Sequence, residues 1–177
     1  MAGNFKVLFL ILLMLSCESR QKNNDQTAIN IIDQNFEILM DSISYFDLSK
    51  MPKNAINDNI VVNLNAEVMA MDVQESIEMF KAKFKLKQRK IDPIFFKIKK
   101  IPVDRVDNYP INVVSSTPKN HNSVNVNFVN FLIDNSNKFA SITVIKDRGI
   151  GTKFEIYYFK QINGKWMFDG KELLALG

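Results

Sequence analysis

The apolar residues of this chain change their period at Asp92-Pro93. Upstream they recur every three or four positions, downstream they alternate with polar ones, and one kind of element cannot serve both patterns. Ile29, Ile32, Phe36, Leu39, Ile43 and Phe46 form one face of an amphipathic helix predicted over Gln26–Asp47, with Asp25 as its N-cap. Pro52 among Asn and Asp residues marks a loop, and Ile60-Val61-Val62-Asn63-Leu64 a short strand. Asp72 and Glu75 have capping-box spacing, and Met69, Val73, Ile77, Phe80 and Phe84 predict a second helix over Val73–Leu86.

After Pro93 the pattern is that of strands. Phe96 and Ile98 alternate with Lys97 and Lys99, Ile111 to Ser115 forms a run, and Val124, Val126 and Phe128 alternate with Asn125 and Asn127. The alternation slips by one residue near Val129, as a β-bulge requires. Phe139–Lys146 and Lys153–Ile162 are two more strands, and Asn163-Gly164 before Lys165-Trp166-Met167-Phe168 is a strong hairpin signature. The expected fold class is α+β: two N-terminal amphipathic helices with a short strand, packed on a C-terminal antiparallel β-meander. The order of elements could also fit a cystatin-like or nuclear-transport-factor-like cone.

The N-terminus carries an address. Lys6 precedes the nine apolar residues Val7–Leu15, then come the small Ser16 and Cys17. Nine apolar residues are too few to span a hydrocarbon core, which takes about 20 in a helix, so the run reads as a signal peptide over 1–16. A cysteine at the cleavage point resembles the bacterial lipobox, here Leu13-Met14-Leu15-Ser16-Cys17, and implies that the Cys17 thiol receives a diacylglyceryl group, a thioether carrying palmitate-type chains. Met14 and Leu15 depart from the commonest choices at their positions, and an ordinary secretory signal with an incidental cysteine is the competing reading. Residues 17–25 then form the lipidated Cys and a flexible tether, and 26–177 a single domain.

With one Cys and one His in 177 residues, the domain has no disulfide framework, Cys/His metal cluster or Cys-His nucleophile pair, and no cofactor is expected. His121 lies in a polar loop without an apolar wall and reads as a bystander; Gly149-Ile150-Gly151 sits between strands and reads as a hairpin turn. Asp134-Asn135-Ser136-Asn137 begins like a calcium loop, but Phe139 and Ile145 stand where such a loop needs Gly and Glu, so turn residues are the better reading. No nucleophile, base and orienter can be assembled, which points away from an enzyme.

Two surfaces remain as contact candidates. Lys81 to Lys100 holds nine basic residues and one acid, and Lys81, Lys83, Lys85, Lys87, Arg89 and Lys90 could contact a polyanion or simply form a solvated face. The second surface is the strand Lys153–Ile162, with aromatic residues on both faces. Tyr157 and Phe159, with Phe139 alongside, could line a binding face unless a helix or loops cover them. Nucleic acid is not an expected partner of an envelope protein.

Taken together, the chain resembles small predicted lipoproteins of the Bacteroidota. The resemblance rests on Cys17, Asn35-Phe36, Leu39 to Tyr45, the strand Asn59 to Asn65 and the close Lys160-Gln161-Ile162-Asn163-Gly164-Lys165-Trp166. It implies a membrane-anchored lipoprotein of the bacterial cell envelope, periplasmic or surface-exposed, and carries over no catalytic residue. The expected role is a non-enzymatic binding or interaction module for an envelope protein or acidic polymer. The alternative is an immunity or inhibitor protein that neutralises a toxin or hydrolase.

Overall fold

The computed structural model describes residues 24–47, 60–87, 90–116, 122–149 and 151–177. Positions 24–34 are helical (α1), followed by the single-turn α2 (Phe36–Leu39) and a 3-10 turn (Ile43–Phe46). Next come β1 (Val61–Asn65), β2 (Glu67–Val68), α3 (Val73–Phe84), β3 (Phe96–Lys97), β4 (Arg105–Val106) and β5 (Tyr109–Val114). The long strands β6 (Ser123–Ile133), β7 (Phe139–Asp147), β8 (Thr152–Ile162) and β9 (Lys165–Leu176) complete the chain. Seven strands form one curled sheet in the order β4-β5-β1-β6-β7-β8-β9, while β2 and β3 pair separately.

This arrangement corrects the expected architecture. The domain is α+β, but it is mostly sheet, its helices are short, and two N-terminal helices packed on a C-terminal meander do not describe it. β1 sits inside the sheet, parallel to β5 through Val62 and Ile111 and parallel to β6 through Val62 and Val124. The physical reason is long-range. Val62 and Leu64 are fully buried only because strands dozens of residues downstream flank them, and local periodicity carries no information about such partners.

The first predicted helix keeps its buried face but not its continuity. Ile32, Phe36, Leu39, Ile43 and Phe46 are all buried, yet the helix breaks at Asn35 and again before Ser42, which adopts a left-handed φ of 63°. Asn35 competes with the backbone. Its side-chain amide donates to Ile31 O at 3.0 Å and to Trp166 O at 3.2 Å, so the residue is held to β9 rather than within a helix. Positions 24 and 25 already lie in α1, so they belong to the helix rather than to a tether, and Asp25 is not its N-cap.

Two hydrophobic clusters lie on opposite faces of the sheet. On one, α1, α2 and the 3-10 turn pack on Val62, Val126, Ile142, Val144, Tyr157 and Phe159. On the other, Phe80 and Phe84 of α3 pack on Leu132, Ile156, Tyr158 and Phe139. α3 forms where its pattern predicts, but the capping box does not: Asp72 has φ 44° and its side chain caps nothing. Instead Asn130, at the predicted bulge (φ 51°), accepts from Met71 N at 2.7 Å. It also donates to Met71 O at 2.7 Å and Ser76 Oγ at 3.0 Å, pinning the start of α3 to β6. The β8–β9 hairpin turns on Asn163 and Gly164, with φ 51° and 77°, the signs that a type I′ turn requires.

Candidate functional site

α3 covers only part of its face. Beyond it, Asn127, Ile145, Phe154 and Ala175 lie opposite one another across β6 to β9, and Asn65 of β1 donates to Asn127 Oδ1 at 3.1 Å. A second polar row, Asn63, Asn125, Asp147 and Thr152, runs alongside; Asn63 donates to Asn125 at 3.3 Å and Thr152 to Asp147 at 2.7 Å. Above these rows lies an open groove of ≈ 400 Å³, walled by Met69 (48 % exposed) and Met71 (54 % exposed). It offers amide, carboxylate and hydroxyl groups on a rigid floor and flexible thioethers at its rim, a lining suited to holding a ligand by contact.

A buried cluster of charges lies under the broken first helix. The Lys146 side chain is 1 % exposed, and its ammonium donates to Asp41 O, to Asp41 Oδ1 at 3.0 Å and to the Tyr157 hydroxyl at 3.0 Å, with Glu155 Oε2 at 3.7 Å. All three ammonium protons are therefore used. Tyr157 donates to Asp41 Oδ1 at 2.6 Å; Lys171 bridges Asp41 and Glu155 at 2.7 and 2.8 Å; and Lys153 pairs with Glu155 at 2.9 Å. Arg148 also reaches this segment, donating to Phe46 O at 2.5 Å. Lys146 of β7 and Arg148 just beyond its end thus satisfy carbonyls that the interrupted helix leaves free, the end of a helix that favours positive charge.

Burial pushes the Lys146 ammonium down to about 8, against the upward pull of Asp41 and Glu155. Burial would raise Asp41, but hydrogen bonds from Lys171 and Tyr157 and the Lys146 charge hold it at about 2. Glu155 is likewise held below its ordinary value, against burial, by hydrogen bonds from Lys171 and Lys153. Tyr157 is raised by burial and by the two carboxylates, and so remains a neutral donor. Each group is committed to another member, and the cluster acts as a clamp between the 41–46 turn and the sheet. The sequence reading missed it. The available clue was alternation: Lys146 follows Ala140, Ile142 and Val144 on one face of β7, and Glu155 shares the face of Tyr157 and Phe159 on β8.

A second groove, ≈ 460 Å³, runs between α1 and the segment 96–102. Ile29, Ile32, Ile98 and Ile101 line it, with Lys97, Lys99, Lys100 and Asp33 among its polar members.

The residues singled out from sequence are scattered by the fold. Cys17, Arg89 and His121 lie outside the described residues. Tyr157 and Phe159 are fully buried under the N-terminal helices and present no binding face, while Phe139 stacks on Phe84 of α3 at 4.4 Å. Lys81, Lys83 and Lys85 belong to α3 and its cap; Lys83 pairs with Asp169 at 3.8 Å and lies 5.3 Å from the Tyr158 ring centre. Lys90 pairs with Asp92 at 3.1 Å, whereas Lys97, Lys99 and Lys100 line the groove beside α1. Asp134 closes the β6–β7 turn, accepting from Lys138 N and Phe139 N at 2.7 Å each. Among the described residues no three His, Cys, Asp or Glu side chains gather as a metal site, and no helix is long and apolar enough to cross a membrane. No protein-family model, curated protein or solved structure matches this chain.

Proposed function

We propose that this chain is a lipid-anchored cell-envelope protein that works by binding, with an envelope protein or an acidic polymer as its partner. The observation that carries the reading is the run Val7–Leu15 ending at Ser16-Cys17. A lone exposed thiol is a liability in an oxidising compartment, whereas a thioether is inert. Two or three acyl chains, at about 0.8 kcal/mol per buried CH₂, exceed the two signals that stable anchoring takes. Binding rather than chemistry is supported by the linings. The grooves present amides, methyl groups, thioethers and lysines with the separate carboxylates Glu67, Asp147 and Asp33, and the titratable groups that do meet, Asp41, Lys146, Glu155 and Tyr157, are engaged with one another.

The test is metabolic labelling of bacteria expressing the full chain with an alkyne analogue of palmitate. Label on the wild type, none on Cys17→Ser, and a mature protein beginning at residue 17 are the expected results. A mature product carrying a bare thiol at Cys17 would refute the anchor.

A further inference from the structure

The groove between α1 and the segment 96–102 carries a second assignment. We propose that it binds an anionic phospholipid, drawn from the membrane to which Cys17 ties the chain; the proposal rests on the anchored reading above.

Three observations converge. The first is the lining: Ile32 and Ile98 are buried at the floor, Ile29 and Ile101 stand partly exposed beside them, and ≈ 460 Å³ falls within the roughly 300–1,000 Å³ of ligand pockets. Such a floor suits the upper part of an acyl chain. The second is the charge at the rim. Lys97, Lys99 and Lys100 are exposed, and Lys99 and Lys100 form no ion pair among the described residues. Lys97 reaches Glu67 only at 3.9 Å with both side chains about half exposed. The one carboxylate in the lining, Asp33, is itself raised by burial, with Lys100 opposing. Three ammoniums facing one reluctant carboxylate are complementary to a phosphodiester headgroup.

The third observation is position. Gln26 and Ile29 place the groove beside α1 near the N-terminal end of the described chain, and only six residues separate Cys17 from position 24, seven Cα–Cα steps with a reach of at most about 25 Å. The groove therefore lies close to the bilayer surface whenever the cysteine is acylated. The remaining lysines of the basic segment are placed differently: those of α3 belong to the opposite face of the sheet, which makes them an internal control.

The test uses the mature chain, residues 17–177, with Cys17→Ser so that no acyl group is present; all of the described structure lies within it. Thermal melting verifies that each variant is folded. Flotation with vesicles of phosphatidylethanolamine and phosphatidylglycerol should recover the protein, and flotation with phosphatidylcholine vesicles should not. Lys97→Glu, Lys99→Glu and Lys100→Glu together should lower the partition coefficient by about a hundredfold, roughly fivefold per lysine. Lys81→Glu, Lys83→Glu and Lys85→Glu together should change it less than about threefold, since α3 and its cap lie on the other face of the sheet from the groove.

Monomeric dihexanoylphosphatidylglycerol, titrated below its micelle concentration, should bind the parent and fail to bind Ile29→Trp, which fills the groove. Equal flotation with both vesicle types, equal loss in both lysine triples, absence of binding by the monomeric lipid, or binding to heparin with none to vesicles would each overturn the proposal. Palmitate labelling is read on the native cysteine, so failure of the anchor and failure of the groove are separate results.

Discussion

Replacing Lys146 by Met tests the electrostatics of the buried clamp through a slope against pH. Met fills nearly the same volume, so the variant removes the ammonium with little change in packing. In the native chain burial brings Lys146 down to about 8 from 10.5. Between those two values the unfolded chain holds a proton that the folded chain does not, so the Lys146 contribution to stability rises with pH across this window. Two and a half units at about 1.4 kcal/mol each give a gain on the order of 3 kcal/mol. Lys171, whose pKa is raised by hydrogen bonds to Asp41 and Glu155 against its burial, titrates in both proteins, and its repulsion of the Lys146 ammonium is part of what their difference measures.

The assay is urea unfolding followed by the fluorescence of Trp166, the single tryptophan, which is buried against α1. The stability of the wild type minus that of Lys146→Met should be flat from pH 6 to about 8 and climb by about 3 kcal/mol by pH 10.5. Two curves that stay parallel within about 0.5 kcal/mol over this range would refute the claim that burial governs this lysine.

Three further outcomes follow from single side chains. Asn130→Ala should cost about 3 kcal/mol in urea unfolding and Asn130→Gly about 1 kcal/mol less, because both lose the bonds to Met71 and Ser76 while only Ala is strained at φ 51°. Gly164→Ala should lower stability by about 1 kcal/mol although nothing lies within 4 Å of the added Cβ, since the cost is the positive φ alone; an unchanged melting temperature would exclude that cause. Asp134→Asn should be destabilising at pH 7 and progressively less so in acid. The Asp134 carboxyl is held low, against burial, by bonds from Ser136, Phe139 and Lys138, and its contribution is lost as pH falls through that lowered value.

Much of the local structure was legible. Asn163-Gly164 specified its turn because left-handed φ at two successive residues is tolerated by few pairs. The slip near Val129 identified a bulge because a period of two cannot absorb an extra residue silently, and Val73 to Phe84 identified a helix. The buried face of the first helix was also readable, residue by residue, though its continuity was not: nothing local says that the Asn35 amide will find the carbonyl of Trp166. The candidate site was the least legible part. The aromatic faces of β8 looked available until α1 and α3 were seen to cover one each, and a run of nine basic residues looked like one patch until the fold divided it.

The sequence by itself determined the Asn163-Gly164 turn, the bulge near Val129, the helix α3 and the inward face of the first helical segment, because dihedral preference and side-chain period are properties of neighbours along the chain. Tertiary structure alone decided that β1 would lie between β5 and β6 and that Lys146 would be enclosed by Asp41 and Glu155. It also decided that lysines 97, 99 and 100 would stand over an isoleucine-lined groove. These are meetings between residues far apart in sequence, and their free energy exists only once the intervening chain has closed.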